Sequence, residues 1–142
     1  MAYIPKDAEW YIADIVIEIN VEDESENVLH INTTLIQANN PEEAYKKAIE
    51  LGKENEEEPY KNPSGKIVTT IFKGLNNLDV IYDKLEHGAE LYFSEYTNIS
   101  IEKMQEYITD KEDLSVFLDI VPSKTIDYSS DEIFEAYEKT RT

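Results

Sequence analysis

Residues 10–21 read WYIADIVIEINV, and apolar and polar side chains alternate along this stretch. Alternation with a period of two is typical of a β-strand that has one buried face. The opposite face of this strand carries Asp14, Glu18 and Asn20. We therefore predict a half-buried strand, and its buried face would consist of Tyr11, Ala13, Ile15, Ile17, Ile19 and Val21.

A second strand is predicted directly after the first. Residues 22–27 are polar and rich in turn-forming residues, and residues 28–38 carry Leu29, Ile31, Thr33 and Leu35 on one face. Two extended runs on either side of a short polar turn are typical of a β-hairpin.

A helix is predicted to begin after this hairpin. Asn40 can cap it, Pro41 suits the first helical position, and the Glu43 side chain can reach back to the cap. The helix should run to about Asn55. Its buried stripe would consist of Ala44, Tyr45, Ala48, Ile49 and Leu51.

The chain beyond the helix is predicted to return to extended structure. Residues 59–65 contain two prolines and a glycine, which exclude helix and strand there. Residues 67–72 and 78–82 have strand-like composition, and Gly74 between them suggests a bulge or bend. Residues 90–96, ELYFSEY, form a further predicted strand.

These elements predict an α+β fold with a mostly antiparallel sheet of about four strands, in ββαββ order, covered on one face by the helix. A helical extension should follow: Ser100 can cap a short helix through Ile108, and a capping box at residues 129–132 would begin a final helix with Ile133, Phe134 and Tyr137. We expect residues 1–142 to form a single domain, with its core at 10–96 and the extension, 97–142, packed on it or on a partner.

The chain is strongly acidic, with 31 Asp and Glu against 13 Lys and Arg and a formal net charge of −18. Nucleic acid and anionic membranes are disfavoured as partners, because both are bound through Lys and Arg. The charge favours a basic protein partner, with plain solubility as the alternative. The chain contains no cysteine, no signal peptide and no apolar run of the ~20 residues that span a bilayer, so a cytoplasmic protein is expected.

Residues with catalytic or metal-binding chemistry are sparse. His30 and His87 are the two histidines, and we interpret both as structural or surface residues. The chain contains no Gly-x-Ser-x-Gly elbow, EF-hand loop or glycine-rich phosphate loop. We therefore expect no cofactor, no bound metal and no enzymatic activity.

Tyrosine is abundant, with ten residues, and it is enriched at binding hot spots. On the predicted strand 90–96, Tyr92 and Tyr96 share one face, which could bind a partner or form a second small core. The residues that we expect to bind a partner are Tyr92, Tyr96, Glu90, Tyr128, Tyr137, Glu56, Glu57 and Glu58.

Six segments in this order resemble those of a known family: Trp10-Tyr11-Ile12-Ala13, Pro41-Glu42-Glu43-Ala44, Leu51-Gly52-Lys53, Tyr60-Lys61-Asn62-Pro63-Ser64-Gly65, Leu78-Asp79-Val80-Ile81-Tyr82 and Gly88-Ala89-Glu90-Leu91-Tyr92. Through them the chain resembles, over residues 10–96, a bacterial family known as domain of unknown function 4288. This resemblance implies a small bacterial α+β domain and carries no established activity.

The favoured function is a small non-enzymatic binding protein that inhibits or neutralises a protein partner, as toxin-immunity proteins and phage anti-defence proteins do. One alternative is sequestration of a small molecule such as a nucleotide signal, with Lys73 or Lys84 near the phosphate. A second is an enzyme that uses Asp, Glu or His in a pocket. Sheet edges and the C-terminal helices could equally serve a homodimer.

Overall fold

The computed structural model describes residues 3–119 and 126–130. The chain divides into two compact units, one of them Met1–Tyr92 with Lys124–Thr142 and the other Phe93–Ser123. In the described part of the chain, no helix is long and apolar enough to cross a membrane.

The first unit is built on an antiparallel four-stranded sheet. Its strands are β1 (Trp10–Val21), β2 (Val28–Gln37), β3 (Tyr60–Lys61) and β4 (Ile67–Val80), and they lie side by side in the order β2-β1-β4-β3. The helix α1 (Pro41–Glu54) connects β2 to β3. The predicted α+β fold with ββαββ order is therefore confirmed.

The central strand β1 has the buried face that its alternation predicted. All six predicted side chains are buried, and Ala13 and Ile15 are completely inaccessible. This face, which we call the inner face of the sheet, packs against α1. Its neighbours on β4 include Leu75 and Phe72, which lie opposite Ile15 and Ile17.

The helix α1 begins as predicted and packs through its smallest residues. Asn40 caps it, because its side-chain oxygen accepts a hydrogen bond from the Glu43 N–H at 2.8 Å. The Glu43 carboxylate does not close a capping box; it accepts from Asn39 and pairs with Lys47. The predicted stripe is wrong at Tyr45, which is 53% exposed. The buried positions are Ala44, Ala48 and Gly52, because small side chains let a helix approach a sheet closely.

The strand β4 joins two segments that were predicted separately. It runs through Gly74, and its register against β1 shifts twice between Phe72 and Asn77, which confirms the predicted irregularity. Residues 59–65 were wrongly predicted to contain no strand, because Tyr60–Lys61 pairs with β4 as β3. The turn between these strands places Gly65 at a φ of 80°, which glycine adopts without strain.

The predicted strand at 90–96 is wrong, because these residues have no regular secondary structure. A strand requires hydrogen bonds to a neighbouring strand as well as alternation, and residues 90–96 are not part of the four-stranded sheet. The backbone N–H of Glu90 instead donates to the Asp83 carboxylate at 2.9 Å.

The second unit contains a short helix, α2 (Ile101–Gln105), followed by two 3-10 turns at Lys111–Asp113 and Ser115–Phe117. Ser100 caps α2 as predicted, accepting from the Lys103 N–H at 3.1 Å, but the helix ends before Ile108. In the described part of this unit, large apolar side chains such as Ile101 and Val116 are exposed. The predicted final helix, with Ile133, Phe134 and Tyr137, lies outside the described residues.

Candidate functional site: the outer face of the sheet

The sheet has a second face, turned away from α1, which we call the outer face. On β1 it carries Ile12, which is buried, and Asp14, Val16 and Glu18, which are half-buried and alternate with the residues of the inner face. The antiparallel register places Leu35 beside Ile12, Thr33 beside Asp14, Ile31 beside Val16 and Leu29 beside Glu18. The apolar pattern of β2, which includes Leu29, Ile31 and Leu35, therefore belongs to the exposed side of the hairpin.

An aliphatic strip crosses this face. Its members are Leu29, Ile31 and Leu35 on β2 and Ile71 on β4, which are 57%, 50%, 46% and 38% exposed. Val16, on β1 between these two strands, is half-buried and adjoins Ile31. Contiguous exposed apolar surface of this kind marks interaction sites in soluble proteins.

Two carboxylates are fixed within the aliphatic strip. Thr33 donates a hydrogen bond to Asp14 at 2.7 Å, and Asn27 donates to Glu18 at 2.6 Å. Hydrogen bonds from Asn27 and Asn20, together with the Lys73 ammonium 3.9 Å away, lower the pKa of Glu18 below its ordinary value. Glu18 lies between Leu29 and Ile71, so a negative charge is held inside an apolar surface.

The turn between β1 and β2 adds further acid at one end of the outer face. Glu22, Asp23, Glu24 and Glu26 all lie in this exposed turn. The Glu22 carboxylate also accepts from the Ile67 N–H at 3.3 Å, which ties the turn to the start of β4.

A groove of about 400 Å³ opens at the other end of the strip. Its lining is mainly apolar and includes Ile12, Leu35, Leu85, Ala89 and Leu91. The loop after β4 thus closes over part of the outer face. A second cavity, of about 390 Å³, has Asp7, Glu9, Asp83 and Lys84 as its charged lining residues. Three carboxylates against one lysine disfavour phosphate there.

The predicted acidic site residues Glu56, Glu57 and Glu58 follow α1 and run beside β4. The Glu56 carboxylate accepts a hydrogen bond from the Phe72 N–H, and the Glu57 N–H donates to the Thr70 hydroxyl, both at 2.8 Å. Glu56 therefore accepts a hydrogen bond from one backbone N–H group of β4. Glu58 is exposed.

The structure does not bring the predicted tyrosines together on a strand. Tyr92 and Tyr96 cannot share a strand face, because the segment that holds them is not a strand. Tyr96 stacks on Tyr107 within the second unit, with ring centroids 5.1 Å apart. Tyr137 lies outside the described residues.

Tyr128 has a structural position in the first unit. Its backbone carbonyl accepts a hydrogen bond from the Tyr60 hydroxyl, and its ring meets the edge of His30 at 5.3 Å between centroids. Asn62 donates to the carbonyl of the preceding residue, Asp127, at 2.8 Å. With Ile126 buried in the core, residues 126–130 complete the packing of the inner face.

The described residues show no cluster of side chains that indicates a catalytic site. Residues 3–119 and 126–130 contain no cluster of three or more His, Cys, Asp or Glu side chains that could hold a metal ion. The two carboxyls with a resolved pKa shift, Glu18 and Glu43, are both shifted downward. A carboxyl that acts as a general acid at neutral pH needs a raised pKa instead.

Sequence reasoning missed the outer face as a candidate site. The signal lies at residues 27–41, the longest run of this acidic chain without Asp, Glu, Lys or Arg. The exposed face of β2 carries no charged side chain, which is unusual in a chain with 31% charged residues.

The fold and this face define a small α+β domain in which a helix covers one sheet face, while the other face carries exposed apolar side chains. The chain belongs to the family described as domain of unknown function (DUF4288), whose profile matches residues 10–93. The predicted resemblance is thereby confirmed. Searches of curated proteins and of solved structures find no match.

Proposed function

We propose that this protein is a non-enzymatic binding protein whose outer face docks a basic protein and thereby inhibits or neutralises it. The observation that carries the proposal is the pair of fixed carboxylates, Asp14 and Glu18, within the aliphatic strip. An apolar surface with embedded negative charge suits a partner that presents apolar side chains together with Lys or Arg.

The spacing of the two carboxylates limits the partner. Four residues along a strand span about 13 Å, so Asp14 and Glu18 would meet two basic side chains at that separation. Both carboxylates are already hydrogen-bonded, which reduces the entropy lost when a partner binds. Glu18 already has the Lys73 ammonium 3.9 Å away, but burying Asp14 without such a cation would leave its charge unpaired, and this selects against neutral partners.

The net charge of −18 supports the same partner chemistry. A field of this sign accelerates encounter with a basic surface and repels nucleic acid. Enzymes that act on nucleic acid present basic active sites, so an acidic inhibitor fits them. A toxin-immunity or phage anti-defence protein that works in the cytoplasm would have this design.

The test is capture of partners from host-type lysate on the immobilised protein, followed by calorimetric titration of the purified candidate. We expect one basic protein at 1:1 stoichiometry, and affinity should fall as salt rises. Ile31→Ser and Glu18→Gln should each weaken binding at least tenfold. Tyr45→Ser, which alters an exposed residue on α1 instead, is the matched control and should bind normally. A partner unaffected by both outer-face variants would refute the proposal.

A small-molecule binder is the second candidate, and the groove beside Leu35 and Leu91 favours it. Its lining suits an apolar ligand better than a nucleotide. Lys73 pairs with Glu18, and Lys84 lines a cavity together with Asp7, Glu9 and Asp83. Native mass spectrometry of the purified protein would reveal a retained ligand, and Leu35→Arg should release it. A spectrum with the mass of the bare chain alone would count against this candidate.

A further inference from the structure

The strand β2 is an edge strand without the usual protection of such strands. Soluble proteins blunt exposed edges with charged side chains, proline, bulges or very short strands. The ten residues of β2 contain none of Asp, Glu, Lys, Arg, Pro or Gly, and their pairing with β1 is regular throughout. The opposite edge, β3, has only two residues. Beyond Ile67 and Val68, which pair with β3, the edge of β4 is interrupted by two register shifts and by the contact of the Phe72 N–H with Glu56. Among the described residues, β2 is therefore the long and regular edge.

The backbone groups on the free edge of β2 can be identified from the ladder. The Ala38 N–H donates to the Glu9 carbonyl at 3.0 Å. Backbone groups alternate in direction along an antiparallel strand, so even-numbered residues of β2 point to β1. The groups that point to the free edge belong to Leu29, Ile31, Thr33, Leu35 and Gln37. Side chains of these same residues lie on the outer face.

We propose that β2 pairs antiparallel with β2 of a second copy of this chain, across a twofold axis at Asn32. The pairing joins two four-stranded sheets into one and makes their outer faces continuous. Leu29 of one copy lies opposite Leu35 of the other, and Ile31 lies opposite Thr33. Apolar and β-branched cross-strand pairs of this kind stabilise sheets.

Lys47 determines the register of this pairing. Its ammonium donates to the Gln37 carbonyl at 2.8 Å, which occupies that end of the free edge. A twofold axis at Thr33 would place Gln37 opposite Leu29 and would need this carbonyl. An axis at Asn32 uses only the free groups of Leu29, Ile31, Thr33 and Leu35.

Each end of the paired strands brings a carboxylate near a lysine. The antiparallel arrangement places Glu26, in the acidic turn of one copy, beside the Gln37 end of the other copy, where Lys47 lies in an ion pair with Glu43. The twofold axis creates this contact twice. The net charge of −18 on each copy opposes association over longer distances, and salt screens that long-range repulsion. Dimer formation should therefore strengthen as salt is added, whereas binding of a basic partner should weaken.

Sedimentation equilibrium of the full chain at low salt and at high salt is the first experiment. We expect a concentration-dependent rise from 16.4 kDa toward twice that mass, with at least a fivefold lower dissociation constant at high salt. Thr33→Pro removes a backbone donor from the free edge and should abolish the dimer, while Thr33→Ala keeps the donor and should dimerise. Monomer at every concentration and salt level would overturn the proposal.

The chain has no cysteine, so one introduced thiol reports the register independently of those variants. Across the twofold axis, Asn32 of one copy lies opposite Asn32 of the other as a non-hydrogen-bonded pair, with about 4.5 Å between their Cα atoms. A disulfide can form when its two Cα atoms are about 4.4–6.8 Å apart. Asn32→Cys should form a covalent dimer under mild oxidation, with the circular dichroism of the native fold. Ser64→Cys, in the exposed turn at the opposite edge, should form little covalent dimer under the same oxidation. Equal crosslinking of both variants would mean random collision and would contradict the twofold pairing.

Discussion

Gly52 on α1 lies directly against the ring of Phe72 on β4. A Cβ added to Gly52 would stand 2.3 Å from Cε1 of Phe72 and within 2.6 Å of two further ring carbons. Gly52 occupies the buried stripe of α1 that faces the sheet. The absence of a side chain at this position sets how closely the helix packs.

Gly52→Ala should therefore destabilise the protein, although alanine is the better helix former by about 1 kcal/mol. Overpacking of a core costs about 1–3 kcal/mol, and the added methyl group would overlap three carbons of the Phe72 ring. We expect a net loss of roughly 1–2 kcal/mol in the free energy of unfolding, measured by urea denaturation. The double variant with Phe72→Leu should recover part of this loss relative to Phe72→Leu alone. Lys53→Ala, at the neighbouring exposed position, is the control and should change stability by less than ~0.5 kcal/mol. A stabilised Gly52→Ala would contradict the close packing.

The sequence was sufficient for those parts of the fold that depend on local chemistry. Alternation in β1 and the Asn40 cap of α1 were both predicted correctly, because period and capping act within a few residues. The prediction of a strand at 90–96 was wrong although ELYFSEY has strand-like alternation, because a strand also needs hydrogen bonds to a neighbouring strand, which local alternation does not reveal.

The candidate site depended on information that local sequence does not contain. The apolar residues of β2 were visible as one face, but their exposure follows from which side of the hairpin α1 covers. Tyr92 and Tyr96 were grouped on a face that does not form. Tyr60 and Asn62 were noted only as loop residues, because their partners near Tyr128 are more than sixty positions away.

Two tyrosines of the first unit should respond differently to loss of the hydroxyl. Tyr60 donates its hydroxyl to the Tyr128 carbonyl, so Tyr60→Phe should leave a carbonyl unsatisfied and destabilise by about 1–2 kcal/mol. The buried Tyr11 hydroxyl has no partner among the described residues. Tyr11→Phe should therefore be neutral or slightly stabilising. Urea denaturation of both variants checks the contrast, and equal losses would contradict the assigned hydrogen bonds.

Asn62 should separate local turn formation from docking of residues 126–130. Its side-chain oxygen accepts from the Ser64 and Lys66 N–H groups, both at 3.0 Å, and its side-chain nitrogen donates to Asp127. Asn62→Asp keeps the two acceptor bonds and loses the donor. Hydrogen exchange should accelerate at residues 126–130 in this variant, with little change in β3 and β4. In Asn62→Ala, exchange should accelerate in the turn as well. Ser64→Ala keeps all three bonds and should exchange as the unchanged protein does.

Acidification should remove the stabilisation that Glu18 provides. Its pKa is lowered in the folded protein, first by the hydrogen bond from Asn27, from an ordinary value of 4.5. A lowered folded pKa means that the unfolded chain binds the proton more readily. Stabilisation by Glu18 is therefore present above about pH 4.5 and is lost as the pH falls through the lower folded pKa.

The comparison must exclude the other carboxylates of this acidic chain, so the measured quantity is the difference in unfolding free energy between the unchanged protein and Glu18→Gln. This difference should be largest at neutral pH and should shrink as the pH falls below about 4.5. When Glu18→Gln is compared with its parent in an Asn27→Ala background, the difference in unfolding free energy should change less with pH. The reason is that the hydrogen bond from Asn27, which lowers the pKa of Glu18, is gone. A difference that grows on acidification would show that folding raises the pKa of Glu18, and the outer face would then lack a firmly ionised carboxylate at its centre.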